Sequence, residues 1–283
     1  RQRQMCIRDR SVSQLVQRYD FAAGELTSLF RYEAAGVAAD VAVVTFASRT
    51  APSVVLQEVE VRPSAPCDVG LRAIVETGGL RGRVARRRTD TPGEPEPVCD
   101  GSLLWESEGG MSQCGLALVT ALDGGGDAEP STQAWDAAGP LRSEYRVRAR
   151  SDRSVQLRQI VAAVPSIVHD RPDEEAVRRV ARAKATGFDE LRARNRAEWA
   201  ELWRGRIVVE GASPAHQALI DAAFYYLNCS THAASPSATS IFGLATWHDY
   251  HYYYGHVMWD VDAFCVPPLI LSQPNAALSL IHI

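Results

Sequence analysis

The sequence predicts an α+β multidomain chain: an N-terminal antiparallel β-sandwich over residues 11–170, a helical linker over 171–212, and a helical portion over 213–278. Three observations predict it. Leu141–Ala149 alternates strictly, with Leu141, Ser143, Tyr145, Val147 and Ala149 on one face and Arg142, Glu144, Arg146 and Arg148 on the other. That is the period of a half-buried antiparallel strand. Short apolar runs separated by Gly- and Pro-bearing turns fill the stretch before it, the pattern of a sandwich. At Pro172 the apolar spacing becomes that of a helix.

The strands come first. Asp40–Ser48 and Ser53–Val61 are Val-rich and bounded by Pro and Ser. Gly70–Glu76 and Gly115–Thr120 are shorter apolar runs, and Leu141–Ala149 follows. Thr77-Gly78-Gly79, Thr91-Pro92-Gly93 and Asp123-Gly124-Gly125-Gly126 mark turns between them. The glycine triplet matches no phosphate-cradling loop and reads as a hairpin or flexible loop. Arg81–Arg88 carries five arginines in eight residues. An anion-binding patch is one reading; a solvated strand or loop face explains it as well and is preferred.

The helices follow. Asp173-Glu174-Glu175 put acids in a first turn, where the positive end of the helix dipole favours them, and Val177, Val180 and Ala181 share a face. Gly187 interrupts. Phe188, Leu191, Trp199, Leu202 and Trp203 then continue a helical stripe, with the two tryptophans stacked four apart for core packing. Ile207–Glu210 reads as a short strand. Ser213-Pro214 is a cap followed by proline at the first helical position, and Leu219, Ala222, Ala223, Tyr226 and Leu227 are the expected buried face. Residues 233–255 form a long irregular segment, which in a compact domain points to function. Val261–Leu271 reads as a buried helix, bent or started at Pro267-Pro268.

Composition excludes several classes. At 46% hydrophobic and 23% charged, the 283 residues suit one large or two ordinary globular domains. A net charge of −4 leaves no electrostatic footprint for nucleic acid. The six cysteines, at 6, 67, 99, 114, 229 and 265, contain no C-x-x-C pair, so a zinc or redox motif is not expected and reduced thiols are. No apolar run is long enough to span a membrane, and RQRQMCIRDR lacks the apolar centre of a secretory signal, so a cytoplasmic protein is expected. MCIRDR near the start and LSLIHI at the end resemble translated sequencing-adapter read-through. Residues 1–10 and 279–283 are therefore expected to be non-native and the chain an internal piece of a longer protein.

The chemistry concentrates in Gly243–Gln273, which holds Trp247, Trp259, four tyrosines, His248, His251 and His256, with Asp260 and Asp262 directly after. Aromatic rings stack on the C–H faces of sugars, and carboxylates and imidazoles bind their hydroxyls, so this stretch reads as the wall of a sugar pocket. Two sharper readings are weaker. His248, His251, His256 and Asp260 supply enough ligands for zinc, but the Tyr-rich surroundings of His248 and His251 do not look helical, and no metal is expected. Asp260 and Asp262, two apart on one helix, face different ways and cannot flank a glycosidic bond as an acid pair.

Gly255-His256-Val257-Met258-Trp259-Asp260, followed by Asp262, Phe264, Pro267 and Leu269, resembles the G-H-V-F-W-D-x-[DE]-x-F-x-x-P signature of glycoside hydrolase family 65. Met258 stands where many relatives have an aromatic residue, and Asp262 where many have Glu. The resemblance covers most of residues 20–278 and implies that 213–278 begin an (α/α)6 barrel, truncated here. It implies a parent enzyme cleaving α-glucosidic bonds with inversion, by hydrolysis or phosphorolysis. It implies Trp259 and Asp260 as holders of the non-reducing glucose, with His256 and Tyr254 beside them or bracing the loop, and rim contacts at best for His248 and Asp249. The general acid would be a Glu beyond the end of this chain, leaving these residues inactive alone. The implied partners are an α-glucoside substrate, inorganic phosphate as co-substrate in a phosphorylase, no organic cofactor, and a homo-oligomeric partner copy. The competing reading is a non-catalytic carbohydrate-binding or structural module.

Overall fold

A computed structural model describes residues 11–88, 98–124, 130–131, 140–235, 239 and 259–281. They fall into two compact units: residues 24–193 with the N-terminal residues up to Asp20, and residues 194–283 with Phe21–Ala23.

The first unit is built on two antiparallel sheets. Eleven strands are described: β1 (Val12–Asp20), β2 (Glu25–Ala34), β3 (Val37–Ala47), β4 (Val54–Pro63), β5 (Cys67–Val75), β6 (Gly82–Arg88), β7 (Gly101–Ser107), β8 (Gln113–Asp123), β9 (Pro130–Ser131), β10 (Leu141–Ala149) and β11 (Val155–Pro165). The large sheet runs β1-β2-β3-β4-β11-β8-β7-β6, and the small one β5-β10-β9. The five runs expected from sequence correspond to β3, β4, β5, β8 and β10. In β10 the expected face is buried, and its register pairs Tyr145 with Leu71. Ala73, Leu103, Leu118, Leu141, Tyr145, Val147, Val155 and Leu157 form the core between the sheets. The opposite face of the large sheet presents Phe46, Leu56, Ala117, Val119, Ile160, Ala162 and Val164 to helix α1 (Pro172–Thr186). Small sheet, large sheet and helix thus make three layers, and residues 116–119 of β8 and 160–164 of β11 are apolar on both faces. That is why they read as near-continuous apolar runs rather than as alternation.

A polar clasp joins the two sheets. Asp100 Oδ2 accepts from Ser143 Oγ at 2.6 Å and also from Thr120 Oγ1, which lies 2.6 Å from the Tyr145 hydroxyl. Burial pushes the Tyr145 phenol up from its ordinary pKa; the Thr120 hydrogen bond opposes this and the Asp100 charge adds to it.

The arginine run corrects one expectation. It forms strand β6, yet it is not simply a solvated face. Arg83 pairs with Glu106 at 2.6 Å, and Arg86 reaches Asp173 through Nε at 2.9 Å and Nη2 at 2.6 Å. Asp173 is buried in the first turn of α1, so it needs a paired cation, and Arg86 supplies it. Where α1 crosses β8, Gly115 leaves no room: a Cβ there would lie 2.1 Å from the Pro172 carbonyl. Gly187, at φ +89°, ends α1 as its sequence suggests, and α2 (Phe188–Trp203) follows. In the first turns of α2, Asp189 pairs with Arg158, and Arg192 makes a bidentate bridge to buried Glu25 at 2.9 and 2.7 Å.

The boundary between the units falls inside α2. In the second unit Trp199 stacks on Tyr225 at 4.9 Å between centroids, and Tyr225 stacks on Phe21 at 4.3 Å. Trp203 donates its indole N–H to the Phe21 carbonyl at 2.7 Å. Both tryptophans therefore serve packing. The expected strand at Ile207–Glu210 is irregular instead. Its backbone is satisfied by Gln217, which donates to the Ile207 carbonyl at 2.9 Å and accepts from Val209 N at 3.2 Å. Helix α3 (Pro214–Ser230) starts as expected, with Ser213 Oγ accepting from His216 N. Its buried face differs from expectation. Phe224, Tyr225 and Asn228 are buried, while Leu219 is 70% exposed and Tyr226 is also exposed. Aromatic stacking on Tyr225 decides the rotation of the helix.

Candidate functional site

The residues singled out for sugar binding divide at position 259. Tyr254 and His256, like His248, Asp249 and His251, lie outside the described residues, as do Thr91-Pro92-Gly93 and Gly125-Gly126. Trp259 and Asp260 open a helical run that passes through a π-helical turn, Val261–Cys265, into α4 (Val266–Ser272) and, after Gln273, α5 (Pro274–Ile281).

The π turn runs into two consecutive prolines. Pro267 and Pro268 have no N–H, so the carbonyls of Ala263 and Phe264 lose their usual i+4 donors. Val266 N–H instead bonds the Val261 carbonyl, five residues back. The wider turn brings residues five apart onto one face, and Trp259 and Phe264 sit with ring centroids 6.2 Å apart, tilted by 48°. Both rings stand open to solvent, each 69% exposed. Two adjacent accessible aromatic faces beside a carboxylate can stack on a pyranose and accept its hydroxyl protons. Phe264 belongs to the sequence motif, but its place beside Trp259 depends on the π turn, which 3.6-residue periodicity does not anticipate.

Asp260 is half-buried, and among the described residues no hydrogen bond or ion pair occupies its carboxylate; its backbone is helical at φ −61°, ψ −30°. Asp262 is exposed on the next part of the same turn. Beneath them Val261, Cys265, Val266 and Leu269 are buried, whereas Ile270 and Leu271 are exposed, so the helix expected to be buried is buried on one side only. Burial raises the pKa of the Cys265 thiol, which keeps it protonated behind the site. Among the described residues, no group of three or more His, Cys, Asp or Glu could hold a metal ion. No described helix is long and apolar enough to cross a membrane.

In the first unit, a hollow of about 330 Å³ on β2–β4 is lined by Leu29, Arg31, Asp40, Glu60 and Arg62 among others. Its charges are already matched, Arg31 with Asp40 at 2.9 Å and Arg62 with Glu60 at 3.3 Å. It offers a ligand less than Trp259, Phe264 and Asp260 do.

Comparison with known proteins adds four findings. Residues 2–202 match the model of the glycosyl hydrolase family 65 N-terminal domain. A kojibiose hydrolase of Flavobacterium johnsoniae is 35% identical over 114 residues, 39% of this chain and 16% of that protein. A kojibiose phosphorylase of Escherichia coli is 32% identical over 100 residues, 34% of this chain and 12% of its own length. A solved protein from the human microbiome, proposed to be a kojibiose phosphorylase, superposes with a TM-score of 0.78 at 12% identity, covering 95% of this chain and 35% of that one. At that identity the likeness speaks to fold: an antiparallel β-rich domain followed by helices. The chain spans about a third of the length of that solved relative.

Proposed function

The chain is a member of glycosyl hydrolase family 65, and on that premise we propose that it forms part of an enzyme cleaving α-linked glucosyl units with inversion, by hydrolysis or phosphorolysis. The observation that carries this reading is the family match over residues 2–202, followed in the same chain by the Gly255–Asp260 motif with Asp262, Phe264 and Pro267 in step. Relatives named as a hydrolase and as a phosphorylase support both chemistries for the family.

Residues 11–170 are the sandwich domain, 171–212 the linker and 213–278 the first helices of an (α/α)6 barrel. Trp259 offers its ring to the non-reducing glucosyl unit, and Asp260 accepts its hydroxyls through charge-assisted hydrogen bonds. The family resemblance implies that His256 and Tyr254 contribute to the same subsite or brace its loop. In an inverting reaction one carboxylic acid protonates the leaving oxygen while water or phosphate attacks the anomeric carbon from the opposite face. Asp260 and Asp262 share one helical turn and do not span a bond in this way; the family resemblance implies a glutamate outside these residues as the proton donor. No organic cofactor takes part, and phosphate is a co-substrate only in phosphorolysis. The whole enzyme works in the cytoplasm as a homo-oligomer.

The test is a panel of α-linked glucose disaccharides, with and without phosphate, assayed for glucose and glucose 1-phosphate. A chain extended downstream in its reading frame is expected to release one or the other, with glucose 1-phosphate strictly dependent on phosphate. These 283 residues alone are expected to release neither. An extended, folded chain inert on every disaccharide would sink the proposal.

A further inference from the structure

The helical run that carries Trp259 and Asp260 leads at Gln273 into a part-buried amide contact. Asn228, 0% exposed near the end of α3, donates through Nδ2 to the Phe224 carbonyl at 2.7 Å. Its Oδ1 accepts from Nε2 of Gln273, the residue between α4 and α5. The same Nε2 reaches Thr231 Oγ1 at 3.3 Å, and buried Thr231 donates to the Leu227 carbonyl at 2.9 Å. Next to this network Val266, Leu269 and Ala277 form an apolar cluster, with Leu227 and Leu280 packed against it.

The two kinds of contact constrain the helices differently. Leu227, Val266 and Leu269 are apolar knobs, and such residues remain buried if one helix slips along another. An amide pair does not survive a slip, because its donor and acceptor must meet within hydrogen-bond distance or be stranded in an apolar setting. Gln273 is also held at a fixed point: its backbone, at φ −145° and ψ 71°, breaks the helix, and its carbonyl accepts from Ala276 N and Ala277 N. Its side chain can therefore meet Asn228 in one register of α4 against α3. Buried polar pairs of this kind commonly fix register at some cost in stability. The run 259–272 is continuously helical through the π turn up to Gln273, so a register fixed at Gln273 acts back on the turn holding Trp259 and Asp260.

We infer that Asn228 and Gln273 are positioning residues, whose amide–amide hydrogen bond locks the helical run 259–272 in register against α3 and so sets where Trp259 and Asp260 point. The link to sugar binding rests on the glucoside reading above; the register lock itself does not.

The experiment uses the chain with Asn228→Leu, with Gln273→Met and with both. Readouts are the melting temperature, the methyl signals of Val266 and Leu269, and the Trp259 indole N–H signal, assigned with Trp259→Phe. Either single change is expected to lower Tm by about 2–6 °C, since it breaks a hydrogen bond to fully buried Asn228. The double change should restore most of that loss, because apolar residues can replace a buried polar pair. It should nevertheless double or broaden the methyl signals and shift the indole signal. A stable double variant with one sharp methyl set and an unshifted indole overturns the inference. If the double variant does not fold, Gln273→Asn decides: it keeps the amide but withdraws it by one methylene, and a native single set of signals would again overturn the lock. Glucose titrated into the unaltered chain should move the Trp259 indole signal, and the double variant should bind at least about tenfold more weakly. If glucose leaves the unaltered chain's indole signal in place, the sugar role of Trp259 fails while the methyl spectra still decide the lock.

Discussion

Asp260 and Asp221 are both carboxylates on helices of the second unit, and their partners separate their roles. Asp221 is taken: Arg206 reaches it through Nε and Nη2, each at 2.7 Å, and Gln217 adds a third hydrogen bond at 3.0 Å. The Arg206 hydrogen bonds hold its carboxyl below the ordinary value of 3.8 against a small opposing effect of burial, with Gln217 helping. A carboxyl depressed in the folded state contributes stability above its unfolded pKa and loses it as pH falls through the lower folded value. Melting curves of the chain and of Arg206→Met should therefore differ near neutral pH and converge in acid, as pH falls below the ordinary value of 3.8 and through the lower folded one. A difference that persists unchanged in acid would remove the pair as its source. Asp260, whose carboxylate is left available, is the one expected to matter for turnover. In the active enzyme Asp260→Ala should lower kcat/KM by about tenfold to 150-fold, since a charged hydrogen bond is worth roughly 1.5–3 kcal/mol. Unchanged kinetics in a folded variant would take Asp260 out of the site.

Among the elements, α1 shows how closely the layers of the first unit are fitted. Its first turn lies on Gly115 of β8 and is tied by Asp173 to Arg86 of β6. Gly115→Ala would drive a methyl group into the Pro172–Asp173 backbone, which no side-chain rotation relieves, so a loss of about 2–3 kcal/mol in unfolding free energy is expected from denaturant melts. Legibility varied with the environment of each element. Strand β10 could be read because one face is wet and the other dry. The role of β6 could not, because Glu106 and Asp173, the partners that make its arginines structural, are far along the chain. The buried face of α3 was read off by rotation because Tyr225 is fixed by Phe21 and Trp199, a stacking that no local window contains. The Trp259-Asp260 motif was visible in sequence, but the pairing of Trp259 with Phe264 depends on a π turn, which a 3.6-residue period does not anticipate.

For the whole molecule, the strand order has a consequence for how the chain comes into being. The first four strands form one continuous meander, and β6, β7 and β8 form another, but these two ribbons do not touch each other in the large sheet. The strand that joins them, β11, is the last to be made, and it pairs with β4 over Val155–Ala162 and with β8 over Gln156–Pro165. Until about residue 165 leaves the ribosome, β4 and β8 each present an open edge, and such edges recruit other chains. The nascent protein therefore passes through a window, spanning the synthesis of β5 to β10, in which it depends on chaperones or on speed. A chain stopped at Ser154 should aggregate or melt without cooperativity, whereas one reaching Ala193 should show a single sharp transition for the first unit. If the shorter chain melts as sharply, the two ribbons are independent and β11 is only a neighbour to each.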